Sequence, residues 1–224
     1  GENMKLTDRI GEDVIEYKGR EIRLSLFFDR VLRAFELLND PYFTEAEKVE
    51  ILLHMLVENY DAVADLKPQE KLSVVNTIFD RFIIEGGEQG SEKPPYDLEK
   101  DAEYIYASFM HDYGIDLFEQ QGKLHWRKFK ALLVGLSDDS MFKRVVAIRT
   151  MDVPPPTKYN QKERRQIIEM KRAFSLDRIE TVEEIDRRFD ELALMMKSWA
   201  KGGKANGDSH RRAKAGNPRR DRGA

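Results

Sequence analysis

Apolar residues recur at three- and four-residue spacing along most of this 224-residue chain. This repeat is typical of α-helices that bury one face. It is clear over residues 28–38, where Asn39-Asp40-Pro41 ends it, and it returns in several later segments. Thr44 and Glu47 have the spacing of a capping box, and Pro68 suits the first turn of a helix. The pattern therefore predicts a mainly α protein.

One short segment near the start has a different pattern. Residues 14–17 (VIEY) and 21–24 (EIRL) each alternate apolar and charged residues in part, and Lys18-Gly19-Arg20 separates them. A glycine in so short a connection tolerates a positive φ angle. The segment is predicted to form a β-hairpin before the first helix.

Residues 86–96 are rich in glycine and end in Pro94-Pro95, which is typical of a linker. They are predicted to separate an N-terminal hairpin plus three-helix unit, residues 1–85, from a second helical unit, residues 97–150. In the second unit Asp97 is a candidate helix cap, and Gly114 is a candidate helix end.

Residues 151–200 are predicted to contain a Pro-rich break at 153–156 and two helices, the first capped by Asn160. The last helix repeats its apolar residues as a coiled-coil seam does. The seam consists of Val182, Ile185, Phe189, Leu192, Met196 and Trp199. Two interpretations stay open: an intramolecular hairpin with the preceding helix, or a surface that joins subunits or grips a helical client. Residues 201–224 have almost no apolar side chains and are predicted to be a disordered basic tail.

The charge is distributed unevenly. The formal net charge is −3, yet residues 1–90 carry 19 acidic and 11 basic side chains, and residues 201–224 carry 2 acidic and 8 basic ones. The absence of cysteine excludes disulfides, and the sequence contains neither a transmembrane stretch nor a signal peptide. These features favour a soluble cytoplasmic protein. Residues 1–3, before Met4, are either native or a remnant of expression.

No residue pattern indicates catalysis, a metal or a cofactor. The four histidines lack ligand spacing, and no glycine-rich phosphate loop follows a strand. His111, Asp112 and Asp116 are close in sequence, but a solvated helix end is the favoured interpretation. The acidic residues 99, 101 and 103 point in different directions on a helix, so they do not form a carboxylate pair. A non-enzyme without cofactors is expected.

A basic stretch surrounds two aromatic residues, Trp126 and Phe129. Its members are Lys123, His125, Arg127, Lys128 and Lys130. This composition is compatible with nucleic-acid binding, but Trp126, Phe129 and Leu133 also form a helical stripe that suits a buried core. The core interpretation is favoured, so nucleic acid is not an expected partner.

Residues 99–149 resemble a known family. The stretches are IYASF at 105–109, YGIDL at 113–117, and LHWRKF at 124–129, and the resemblance extends from the N-terminal unit to about residue 175. The family consists of small helical proteins encoded in the tail-gene clusters of siphophages and prophages of Gram-positive bacteria, beside the gene for the tape measure protein. Its members are identified as tail assembly chaperones.

The resemblance implies a non-enzymatic chaperone that binds and solubilises the tape measure protein and helps recruit tail tube subunits. It also implies weak self-association, a location in the host cytoplasm and absence from the mature virion. Trp126, Phe129 and Leu133 are predicted to support the contact surface, and the seam from Val182 to Trp199 is the candidate grip. The alternatives are a nucleic-acid-binding regulator from a phage or mobile element, and a structural tail protein.

Overall fold

The computed structural model describes residues 13–84 and 94–176, together with Thr7, Arg9 and Ile10. The chain divides into two compact units, residues 1–176 and 177–224, so all described residues belong to the first. Their secondary structure is mainly helical with one hairpin, as predicted. The strands and helices are β1 (Val14–Tyr17), β2 (Arg20–Arg23), α1 (Phe28–Asn39), α2 (Glu45–Leu56), α3 (Pro68–Ile78), α4 (Ala102–Tyr113), α5 (Trp126–Val134), α6 (Met141–Thr150) and α7 (Gln161–Ala173).

The predicted hairpin is confirmed. Strands β1 and β2 pair antiparallel, with Ile15 opposite Ile22, and both isoleucines are buried. Lys18 and Gly19 have φ angles of 52° and 74°, so the two-residue turn has two successive positive φ angles, as the tightest hairpins require. The second strand begins at Arg20, one residue earlier than predicted.

Several predicted helix boundaries are confirmed. Helix α1 ends at Asn39, α3 begins at Pro68, and α4 ends at Tyr113, directly before Gly114, which has a φ angle of 63°. Thr44 and Glu47 form the predicted capping box at the start of α2. Local side-chain and backbone preferences are sufficient to set these ends.

The predicted cap Asp97 is wrong, and the predicted cap Asn160 has the right position before α7 but makes no capping hydrogen bond. The Asp97 carboxylate accepts the backbone N–H groups of Glu99 and Lys100 within a turn, and helix α4 begins only at Ala102. The Asn160 amide oxygen accepts the N–H of Thr157, and its amide nitrogen donates to the carbonyl of Pro155. In both cases a nearby backbone group satisfies the side chain before it can cap the helix.

The helices before and after the predicted linker share one core. Phe129 on α5 stacks on Phe28 of α1, with ring centroids 5.1 Å apart, and on Phe109 of α4 at 5.4 Å. It also stacks on Trp126 at 5.6 Å, and only 1 % of its surface is exposed. The described residues 13–84 and 97–150 therefore contribute to the same compact unit, because their aromatic side chains pack against each other.

Helix α7 lies on the outside of this unit. None of its residues is buried, although Phe174, directly after it, is buried and meets the ring of Tyr104 at 6.3 Å. No helix in the described part of the chain is long and apolar enough to cross a membrane. The predicted helix over 182–199 and the predicted tail over 201–224 lie outside the described residues.

Candidate protein-binding groove

A groove of about 200 Å³ opens on the surface between α1, the start of α4 and the turn at residues 117–121. Its lining is mainly apolar. The apolar lining residues are Phe28, Leu32, Leu98, Ala102, Ile105, Tyr106, Leu117, Phe118 and Phe129. A concave apolar surface with few polar groups is typical of a binding site.

Helical spacing positions the walls of the groove. Phe28, Leu32 and Glu36 follow each other at four-residue intervals on α1, and Ala102 and Tyr106 do the same on α4. Residues four apart lie on one face of a helix, so each helix presents a row of side chains to the groove. Phe129 of α5 contributes the buried floor.

Phe118 stands at the edge of the groove, and 70 % of its surface is exposed. Its ring lies 5.2 Å from that of Tyr106. The Asp116 carboxylate accepts the backbone N–H of Phe118 at 2.9 Å, which orders the turn that carries the ring. An exposed aromatic side chain on an ordered turn is a surface that a partner can bury.

Few polar side chains line the groove, and a hydrogen bond holds one of them, Asp29, in place. The Asp29 carboxylate accepts the N–H of Gly122 at 2.9 Å and ties α1 to the turn. Partial desolvation, together with the neighbouring charge of Asp116, raises the pKa of Tyr106 above its ordinary value. Tyr106 is therefore neutral at physiological pH and contributes an apolar ring and a hydroxyl group.

The described residues contain no cluster of histidine, aspartate and glutamate that could hold a metal ion. His111 lies 2.8 Å from the Asp112 carboxylate, and that carboxylate also accepts the N–H of Ser137 at 2.7 Å. Asp112 therefore connects the end of α4 to the loop before α6. The chemistry offered by the groove is burial of apolar surface.

The structure places the predicted contact residues mainly in the core. Trp126, Phe129 and Leu133 are 4 %, 1 % and 7 % exposed, and of these only Phe129 lines the groove. The Trp126 indole donates to the carbonyl of Ile83 at 3.1 Å. Val182, Ile185, Phe189, Leu192, Met196 and Trp199 lie outside the described residues.

Sequence reasoning missed the other walls of the groove. Phe28 and Leu32 belong to the apolar repeat over residues 28–38, which predicts a helix that buries one face, and Phe118 belongs to no periodic pattern. Phe118, directly after the YGIDL stretch, was the residue from which the sequence could have indicated a binding surface. A phenylalanine outside any helical repeat is not predicted to pack in the core.

The basic stretch before and within α5 does not form one continuous charged surface. His125 is 4 % exposed; its Nδ1 accepts the N–H of Arg127, and its Nε2 lies 2.6 Å from the Asp13 carboxylate. The Lys130 ammonium donates to the carbonyl of Ile83 at 3.3 Å. His125 and Lys130 are thus held by the fold, and Lys123 and Lys128 are exposed.

A comparison with protein families finds one match, described as Bacteriophage Gp15 protein, over residues 6–176. No curated protein and no solved structure matches the chain. The matched segment contains every described residue, including the whole groove, and ends where the second unit begins. Since it covers most of the sequence, the chain belongs to the bacteriophage Gp15 protein family.

Proposed function

We propose that this protein is a non-enzymatic tail assembly chaperone, which binds and solubilises the phage tape measure protein and helps recruit tail tube subunits. Two observations support the proposal. The chain belongs to a bacteriophage family, and its sequence resembles the chaperones encoded beside the tape measure gene. The observation that carries it is the apolar groove between α1 and α4, with Phe118 exposed at its edge.

The groove suits the expected client. A tape measure protein is long, largely helical and rich in apolar repeats, so before the tube forms around it many apolar stripes face water. An amphipathic helix binds a groove by burying such a stripe. Several weakly bound copies along one client hold it more firmly than any single contact does, because each bound copy raises the local concentration of the next.

The central experiment is co-expression with the tape measure protein from the same gene cluster. We expect co-purification and a larger soluble fraction of the tape measure protein. Phe118→Ser should reduce both effects, because it removes the exposed ring from the groove. Val134→Ser is the matched control, since Val134 is 74 % exposed but does not line the groove.

Failure of the wild-type protein to co-purify and to increase solubility would contradict the proposal. Equal losses for Phe118→Ser and Val134→Ser would show that the groove is not the contact surface. Circular dichroism of both variants checks that the helices are intact.

A second experiment concerns location. An assembly chaperone acts in the host cytoplasm and is absent from the finished particle, so mass spectrometry of purified virions should not detect this chain. Detection at the copy number of a tail component would favour a structural tail protein. Binding to duplex DNA that weakens steeply with salt would favour a nucleic-acid-binding regulator.

A further inference from the structure

The groove has an acidic border on the side formed by α4. Leu98 and Ala102 line the groove, and the residues that directly follow them, Glu99 and Glu103, are both exposed. On α4, helical geometry places Glu103 about 100° around the axis from Ala102, and Glu99 lies in the turn before the helix begins. These two acidic residues are therefore immediate neighbours of residues that line the groove.

The opposite border is acidic as well. Glu36 of α1 lines the groove and is exposed, and Glu119 is exposed next to Phe118. Arg33 is the basic residue among the lining side chains. Lys100 is directed elsewhere, since its ammonium donates to the carbonyl of Leu176 at 2.9 Å. Four exposed carboxylates thus line the groove or directly follow a lining residue in the sequence, and the lining includes one arginine.

We propose that the groove selects amphipathic helices whose apolar stripe is flanked by lysine and arginine. The apolar lining binds the stripe, and the acidic border attracts the basic flanks and repels acidic ones. This inference rests on the proposed chaperone function and specifies which segments of the client are bound. Segments with acidic flanks stay free of the chaperone and remain available to other tail proteins.

The probes are two synthetic helical peptides with the same leucine stripe, one with lysine and arginine on its polar face and one with glutamate. Binding to the full-length protein is measured by fluorescence anisotropy. We expect the basic peptide to bind about tenfold more tightly at low salt, and the difference to shrink at about 1 M salt, where charges are screened beyond roughly 3 Å.

Variants identify the side chains that cause the preference for the basic peptide. The double variant Glu36→Gln/Glu103→Gln should lose most of the preference, because it removes a carboxylate from each border. The matched control is Glu58→Gln/Asp61→Asn, which removes two exposed carboxylates from the connection between α2 and α3 and should keep the preference. Phe118→Ser should weaken the binding of both peptides.

Equal affinity for the two peptides would overturn the inference, and so would an equal effect of the two double variants, which would reflect only overall charge. The outcomes that contradict the proposed function differ from those that contradict this inference. Co-purification of the tape measure protein without a peptide preference would contradict the inference alone. A peptide preference without co-purification would contradict the chaperone function alone.

Discussion

Asp101 and Arg149 form a buried, bidentate ion pair. The Arg149 Nη1 and Nη2 atoms lie 2.6 and 2.7 Å from the two carboxylate oxygens of Asp101, which is 0 % exposed. The same guanidinium donates to the carbonyls of Pro95 and Phe174. One side chain of α6 therefore holds the start of α4, the segment before it and the residue that follows α7.

Arg149→Met should lower the free energy of unfolding by about 3–5 kcal/mol, because it leaves a buried carboxylate without its partner. Arg149→Lys should also destabilise the protein, since an ammonium cannot form the bidentate contact. Urea unfolding followed by circular dichroism measures both losses.

The control for this pair is Arg144→Met. Arg144 contacts Asp139, whose side chain is 85 % exposed, and exposed ion pairs contribute at most about 1 kcal/mol. If Arg149→Met cost no more than Arg144→Met, the buried pair would not have the stabilising role assigned to it.

Asp112 should make stability depend on pH. Partial burial favours a higher pKa, but the hydrogen bonds from His111 and from the N–H and hydroxyl of Ser137 outweigh it and hold the pKa of Asp112 below its ordinary value. A carboxyl with a lower pKa in the folded state stabilises the protein above the unfolded pKa of about 3.9. This contribution is lost as pH falls through the still lower folded pKa.

Asp112→Asn should therefore flatten the loss of stability as pH falls below about 5. The measurement is the free energy of unfolding in urea at a series of pH values. Asp80→Asn, at an exposed aspartate on the segment that continues α3, is the control for removing one carboxylate. Identical profiles for wild type and Asp112→Asn would contradict the assignment.

Gly114→Ala should destabilise the protein by about 1 kcal/mol. The φ angle of Gly114 is +63°, and a Cβ atom there would meet nothing within 4 Å, so the cost comes from the backbone alone. Gly114→Asn should cost less, because asparagine tolerates the left-handed conformation.

Gly135→Ala is a useful contrast to that pair of variants. Its backbone is ordinary, but a Cβ atom would lie 3.1 Å from the hydroxyl of Tyr113 and 3.2 Å from the carbonyl of Ala131. Thermal unfolding of all three variants separates the two causes. An asparagine at 114 that costs as much as alanine would argue against the backbone explanation.

His125→Ala should cost about 1–2 kcal/mol, because it removes the cap of α5 and the contact with Asp13. His125→Asn should recover part of that loss, since an amide oxygen can accept the N–H of Arg127. Urea unfolding of the two variants measures the difference. Equal stability of His125→Ala and wild type would contradict a capping role.

Elements whose causes are local could be predicted from the sequence. Gly19 marks the hairpin turn, Thr44 with Glu47 marks the start of α2, and Gly114 marks the end of α4, since each depends on preferences within a few residues. Asp97 and Asn160 show the limit of such reasoning. Both have the side chain of a helix cap, but nearby backbone groups compete for it.

The family resemblance could also be read from the sequence, because it depends on the order of residues in the stretches 105–109, 113–117 and 124–129. Asp101 shows what could not be read from the sequence. It belongs to an acidic cluster in the sequence, and only the position of Arg149, 48 residues later, turns it into a buried ion pair.

The sequence by itself thus determined the helices, the hairpin and the relationship to a phage family. Only the tertiary structure decided that Phe28 and Phe129 share a core, and that residues from α1, α4 and the 117–121 turn meet in one groove. Helical periodicity shows which side of a helix is apolar, but it contains no information about the partner of that side. That partner is set by packing between residues far apart in the chain, and this packing left Phe118 exposed at the edge of the groove.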